Sequence, residues 1–247
     1  MRNTFLWVLY DFANSIVIIS FFLYLSQWLV IDAGLSSFWF NSIFVGSTIL
    51  LLLTAPYTAA LSDRMQNRKL FLNITTVGTF IFCALTAILA SQGVSYLWWV
   101  VASYLLAQYF YQFSFVFYNP MIEELAPIEK RGKLSGIGQA ANWTGQIVGI
   151  LIALPLVSSN RIGSLLPATI IFFVLALPML IFFKERKLEV GRNRESKNSF
   201  LKESYHFFRY SSAAVFLLSF FFFNDAIITL QNNFPIYIFT NDCKCRC

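Results

Sequence analysis

The chain has 247 residues, 57% hydrophobic, 18% aromatic and only 12% charged, whereas soluble domains average roughly 45–50% apolar and about 25% charged. That composition excludes a water-soluble globular domain and makes the lipid bilayer the first partner. The net charge of +6 is spread in patches between apolar runs, not in the stripe along a soluble face that nucleic acid needs, so nucleic acid is excluded as a partner.

Seven stretches are long enough to cross a bilayer, which takes roughly 20 apolar residues each. They fall at Phe5–Val30, Phe38–Leu61, Leu70–Ala90, Tyr96–Tyr118, Leu134–Val157, Leu165–Phe183 and Tyr210–Phe239. All are predicted helices, because backbone polar groups in hydrocarbon must bond within their own segment. The first carries an acid, Asp11, with Asn14 and Ser15 at i+3 and i+4 on the same face. Its apolar part is too long for a signal peptide, and no small-residue cleavage site follows it.

The second and third spans are joined by Ser62-Asp63-Arg64-Met65-Gln66-Asn67-Arg68-Lys69. The fourth carries Tyr104, Gln108, Tyr111 and Gln112 near one face, and Glu123 to Lys133, including Glu124 and Arg131, leads into the fifth. Both inner loops mix acids with bases, where orientation alone asks only for bases. Such mixtures at helix ends can form ion pairs that lock one conformation and break in another.

The fifth span carries two stripes. Gly138, Gly145 and Gly149 lie within about 40° of one another around a helix, a pattern for close helix packing. Ser135, Gln139, Asn142 and Gln146 form the stripe beside it and suit either helix–helix bonding or the lining of a pathway. The Asn73 and Asn142 sequons fall within predicted spans, out of reach of glycosylation.

Between the sixth and seventh spans, residues 184–209 hold eight basic and four acidic side chains. Leu201, Tyr205 and Phe208 sit there at i, i+4 and i+7, the spacing of a helix lying on the inner surface or of a plain linker running into the next span. The seventh span carries the second intramembrane acid, Asp225, sharing a face with Thr229 and Asn232. A charge inside hydrocarbon costs about 2.5–3.5 kcal/mol on insertion scales, so Asp11 and Asp225 each need a reason. Either both faces line a polar cavity between helices, which is the favoured reading, or each acid caps or cross-links helices.

With the N-terminus inside, the inner segments hold Arg2; Arg64, Arg68 and Lys69; Lys130, Arg131 and Lys133; and the eight bases of the linker. The outer loops before the tail hold only Arg161. This asymmetry predicts a cytoplasmic N-terminus. No catalytic Ser/His/Asp set, metal cluster or glycine-rich phosphate loop occurs, so neither an enzyme nor a bound cofactor or metal is expected. His206 is the only histidine, and Cys243, Cys245 and Cys247 are interleaved with Lys244 and Arg246, which repel a cation.

The loop after the second span resembles the signature of the major facilitator superfamily, with Leu61, Asp63, Arg64, Arg68 and Lys69 matching and Ala59, Gln66 and Asn67 departing from it. The segment Trp7-Val8-Leu9-Tyr10-Asp11-Phe12-Ala13-Asn14-Ser15 resembles the opening of that superfamily's vacuolar-effluxer-like branch, related to autophagy-linked amino-acid exporters. Tyr118-Asn119-Pro120, Glu124-Leu125-Ala126-Pro127, Arg131-Gly132, Ser135-Gly136 and Phe223-Asn224-Asp225 fit the same branch.

The resemblance implies an all-α polytopic membrane protein built as a six-helix half plus the first helix of a second half. Residues 1–183 would form the six-helix bundle, 184–209 a cytoplasmic linker, 210–239 the seventh helix and 240–247 an atypical tail. It implies a secondary transporter working by alternating access on a small solute, amino acids included, with protons as the coupling ion, in a bacterial plasma membrane. Asp11, Asn14, Ser15, Gln108, Gln112, Gln139, Asn142, Gln146, Asp225, Thr229 and Asn232 would line the pathway. Asp63, Arg64, Arg68, Lys69, Glu124 and Arg131 would form the gating loops. Five spans of the family's twelve are missing, so a truncated chain is expected. The rival readings are a non-transporting membrane protein, such as a scaffold or pseudogene product, and a seven-helix sensor or receptor.

Overall fold

The computed structural model describes residues 2–157, 160–185 and eight residues between Val215 and Leu230. The chain divides into two compact units, Met1–Lys187 and Leu188–Cys247. In the second unit the described residues, Phe222 and Thr229 among them, are helical and fall within the predicted seventh span. Asp225, Asn232, the Leu201–Phe208 stripe and the cysteine tail lie outside the described residues.

The first unit is a bundle of helices. They are α1 (Arg2–Ser20), α2 (Ser37–Met65), α3 (Arg68–Ser91), α4 (Leu97–Tyr118), the single turn α5 (Ile122–Leu125), α6 (Ile128–Val157) and α7 (Leu165–Phe182). Six helical stretches among the described residues are long and apolar enough to cross a membrane. The first of these runs Arg2–Asp32, because α1 continues through two π turns, Phe21–Leu25 and Trp28–Asp32. Ser20 donates back to the Ile16 carbonyl, and Ser26 to those of Phe22 and Leu23. Such bonds compete with the helical ladder and accompany its loosening.

α1 lies between α6 and α7; α7 also packs on α3, α3 on α4, and α4 on α2. α1 is the hub, with Leu6, Trp7, Tyr10, Ala13, Ile16 and Val17 all buried. α2 buries only Phe40, Ile43, Ser47 and Ser62, while Leu52, Leu53 and Tyr57 are largely exposed. At the end of the bundle opposite the N-terminus, Arg161 pairs with Asp32 at 3.3 Å. That bond ties the last turn of the first span to the entry of α7.

Two boundaries differ from the sequence expectation. The fifth span was placed from Leu134, but α6 begins at Ile128. Pro127 precedes it, where a missing N–H and a fixed φ favour helix initiation, so Glu129, Lys130, Arg131 and Lys133 ride on its first turns. The link between α2 and α3 is almost all helix cap. Gln66 closes α2 in the left-handed region, at φ 48° and ψ 42°, and the Asn67 side chain accepts from the Leu70 amide to open α3. Gln66, one of the departures from the superfamily-like signature, holds a conformation that favours glycine: a left-handed helix cap puts Cβ against the following carbonyl.

Candidate functional site

Three glycines let α6 approach α1 closely. A Cβ on Gly145 would lie 2.5 Å from the Phe12 carbonyl oxygen, one on Gly149 2.7 Å from Ile19, and one on Gly138 2.9 Å from the Trp7 ring. Close approach brings the neighbouring polar stripe onto Asp11. Asn142 donates from Nδ2 to Asp11 Oδ1 at 3.2 Å, and Gln146 donates from Nε2 to Asn142 Oδ1 at 2.8 Å. The second bond fixes the Asn142 amide with its nitrogen toward the acid, so Gln146 orients the group that holds Asp11.

A cavity of about 430 Å³ opens beside this triad. Asp11, Asn142, Gln139, Ser135 and Asn119 supply its polar lining, and Trp7, Phe115, Tyr118 and Ile122 its apolar wall. Asp11 itself is 6% exposed. A carboxylate this enclosed, held by one neutral amide, suits reversible pairing with a proton or a cation, because an uncompensated buried charge is costly. Ser15 donates to the Asp11 carbonyl at 2.8 Å and so turns its hydroxyl into the helix. Asn14, 1% exposed, leaves Nδ2 without an acceptor.

Two residues shape this cavity without having been singled out as site residues in the sequence. The Trp7 ring stacks on Tyr118 with centroids 4.7 Å apart and planes 3° from parallel. Trp7 Nε1 donates to the Tyr118 carbonyl at 3.3 Å, and the Tyr118 hydroxyl donates to the Trp7 carbonyl at 2.9 Å. This reciprocal pair fastens α1 to the end of α4. Tyr10 adds a bond from the same turn of α1 to Thr76 of α3, at 2.7 Å. Trp7 and Tyr118 both belong to the family-like segments of the sequence, which was the available signal, but their pairing depends on the packing of α1 against α4.

The structure does not bring the fourth-span glutamines to this cavity. Gln108 donates to the Tyr104 hydroxyl at 2.8 Å. Gln112 turns toward α2, donating to Ser47 at 2.9 Å and accepting from Thr48 at 3.2 Å. They share a helix face but are claimed by different neighbours. Thr229 is exposed in the second unit.

The two charged loops are tied mainly by local bonds. Asp63 accepts from Arg68 at 3.1 and 3.2 Å, and Arg64 lies in the last turn of α2. Arg131 reaches Glu123 at 3.9 Å and the Ala126 carbonyl at 3.3 Å. Glu124 borders an open pocket with Arg2 and Lys184. Lys69 behaves differently, bonding the Ile181 and Phe183 carbonyls at the end of α7 at 2.9 and 2.8 Å. In return Glu185 accepts from the backbone amides of Arg68 and Lys69 at 2.8 and 3.2 Å. Each helix end caps the other, a cation on the carbonyl end and an anion on the amide end, as the helix dipoles favour.

No curated protein and no solved structure matches the chain. The sequence pattern of the Major Facilitator Superfamily matches residues 5–242. That match runs through all six membrane-length helices of the first unit and the predicted seventh span, and on it the chain belongs to the Major Facilitator Superfamily, a family of membrane transporters.

Proposed function

We propose that this chain forms part of a proton-linked secondary transporter of the vacuolar-effluxer-like branch, moving a small solute, with amino acids the first class to test. The observation that carries the reading is Asp11, enclosed at a helix–helix seam, held by Asn142 and Gln146 of another span, and facing a cavity large enough for such a solute. In this reading residues 1–183 form one half of the fold, 184–209 a cytoplasmic linker, 210–239 the first span of the second half and 240–247 a tail. Asp225 joins Asp11 on the pathway, with Thr229 and Asn232 beside it. The N-terminus faces the cytoplasm of a bacterial cell, and Asp63, Arg64, Arg68, Lys69, Glu124 and Arg131 act at the inner gate.

The test is flux across liposomes driven by an imposed pH gradient. It is run on this chain and on a twelve-span relative carrying the same Trp7–Ser15 segment. Asp11→Asn keeps the shape and the bond geometry of the acid but cannot carry a proton. It should insert normally and lose gradient-driven flux; the same should hold for Asp225→Asn. Wild-type, pH-dependent flux by both variants would leave helix cross-linking as the role of the acids.

A further inference from the structure

Resting on the reading of the Asp11 cavity as a solute site, we propose that its solute is a small organic monocation with an ammonium or guanidinium head that pairs with Asp11. The argument is one of charge and valence. Among the described residues lining the cavity, Asp11 is the only charged side chain, and none is Lys, Arg or His. None of the bases at that end of the bundle lines the cavity. Arg131 binds Glu123 and the Ala126 carbonyl, Lys69 binds the end of α7, and Arg2 and Lys184 border a different pocket.

The acid is also only half used. Asn142 occupies Oδ1, while Oδ2 accepts from no described residue. Gln146 takes one of the two lone pairs of Asn142 Oδ1, so Asn142 keeps at most one acceptor site for the cavity. Free acceptors remain on Asn119, Ser135 and Gln139, which line the same space. A head group rich in N–H donors and carrying one positive charge satisfies Oδ2 and these acceptors together. An anion meets an uncompensated carboxylate, and a neutral solute leaves the Oδ2 of a buried acid without a charge partner. The wall of Trp7, Phe115, Tyr118 and Ile122 suits a short apolar body behind the head.

The test is protection of a reporter cysteine in the full chain. Ser135→Cys places a thiol in the cavity, in a background where Cys243, Cys245 and Cys247 are serine and the buried Cys83 stays. The rate of reaction with N-ethylmaleimide in membranes is measured with choline and butylammonium, with their neutral counterparts 3,3-dimethylbutan-1-ol and butan-1-ol, and with butyrate. The cations should protect at concentrations about tenfold lower than their neutral counterparts, and butyrate should not protect. Asp11→Asn should erase the difference and Asp11→Glu should restore it, which separates loss of charge from loss of fold. Equal protection by cations and their neutral counterparts would overturn the charge selectivity while leaving the cavity as a solute site. Protection by no probe, or preferential protection by butyrate, would also overturn the proposal; the former would take the cavity's solute role with it.

Discussion

α1 and α2 are both long apolar helices, yet they stand in opposite surroundings. α1 is enclosed by α6 and α7 and carries Asp11, Asn14, Ser15 and Ser20 into the interior. α2 leaves Leu52, Leu53 and Tyr57 exposed and leans on the rest of the unit mainly through α4. In a membrane apolarity does not separate inside from outside, because lipid tails are as apolar as leucine. What separates these two helices is the distribution of small and polar groups. The hub is where glycines of a neighbour admit the backbone and where polar side chains find partners.

The largest expected effect is at the seam itself. Gly145→Leu forces a side chain into the Phe12 backbone and should cost at least about 1–3 kcal/mol, the usual scale of overpacking. It would be read as a lowered Tm and loss of the monodisperse peak in detergent. A tolerated Gly145→Leu would mean that α6 does not seat on α1 as described.

Next comes the reciprocal bond of Trp7 and Tyr118. Tyr118→Phe keeps the stacked ring and removes only the hydroxyl donated to the Trp7 carbonyl, so a loss of about 0.5–1.5 kcal/mol is expected. Thermal unfolding of the pair of proteins side by side measures it, and a loss no larger than that of an exposed substitution would discount this fastening of α1.

A gain is expected at the end of α2. Gln66 holds a left-handed conformation, and Gln66→Gly should stabilise by about 0.5–1 kcal/mol, after the extra backbone entropy of glycine offsets part of the relieved strain. A lower Tm for Gln66→Gly would show that the Gln66 side chain contributes more than its backbone costs. Smallest of all is Leu53→Ala on the exposed face of α2, expected within about 0.5 kcal/mol of the parent. A larger loss in the isolated chain would break the contrast between the two helices.

Most of the fold was legible because each span is a separate apolar run. The glycine stripe was legible too, since 100° spacing is a property of one helix and needs no partner. Partnership was not. Gln108 and Gln112 sit one turn apart and nothing along the sequence separates them, but Tyr104 takes one and Ser47 with Thr48 takes the other. Asn142 and Gln146 also sit one turn apart, and there the same spacing does produce a chain of bonds, because Asp11 is waiting across the seam. The π turns of the first span left no mark, since serine back-bonding depends on rotamers. The start of α6 was missed because a charged helical turn outside the bilayer looks like a loop when apolar runs are the guide.

The mutual capping of α3 and α7 has a consequence for how the chain is made. The Arg68 amide and the Glu185 carboxylate that binds it are 117 residues apart. At about 5–20 residues per second the ribosome needs roughly 6–23 s to cover that stretch. During that interval α3 can enter the bilayer, but its first amides and the Lys69 ammonium must be held by water or lipid head groups at the membrane surface. Only when the sixth membrane-length helix has been inserted and Lys184 and Glu185 have emerged behind it can the two ends close on each other. A chain released before that point would lack the bonds between the two ends and would leave the first amides of α3 to solvent.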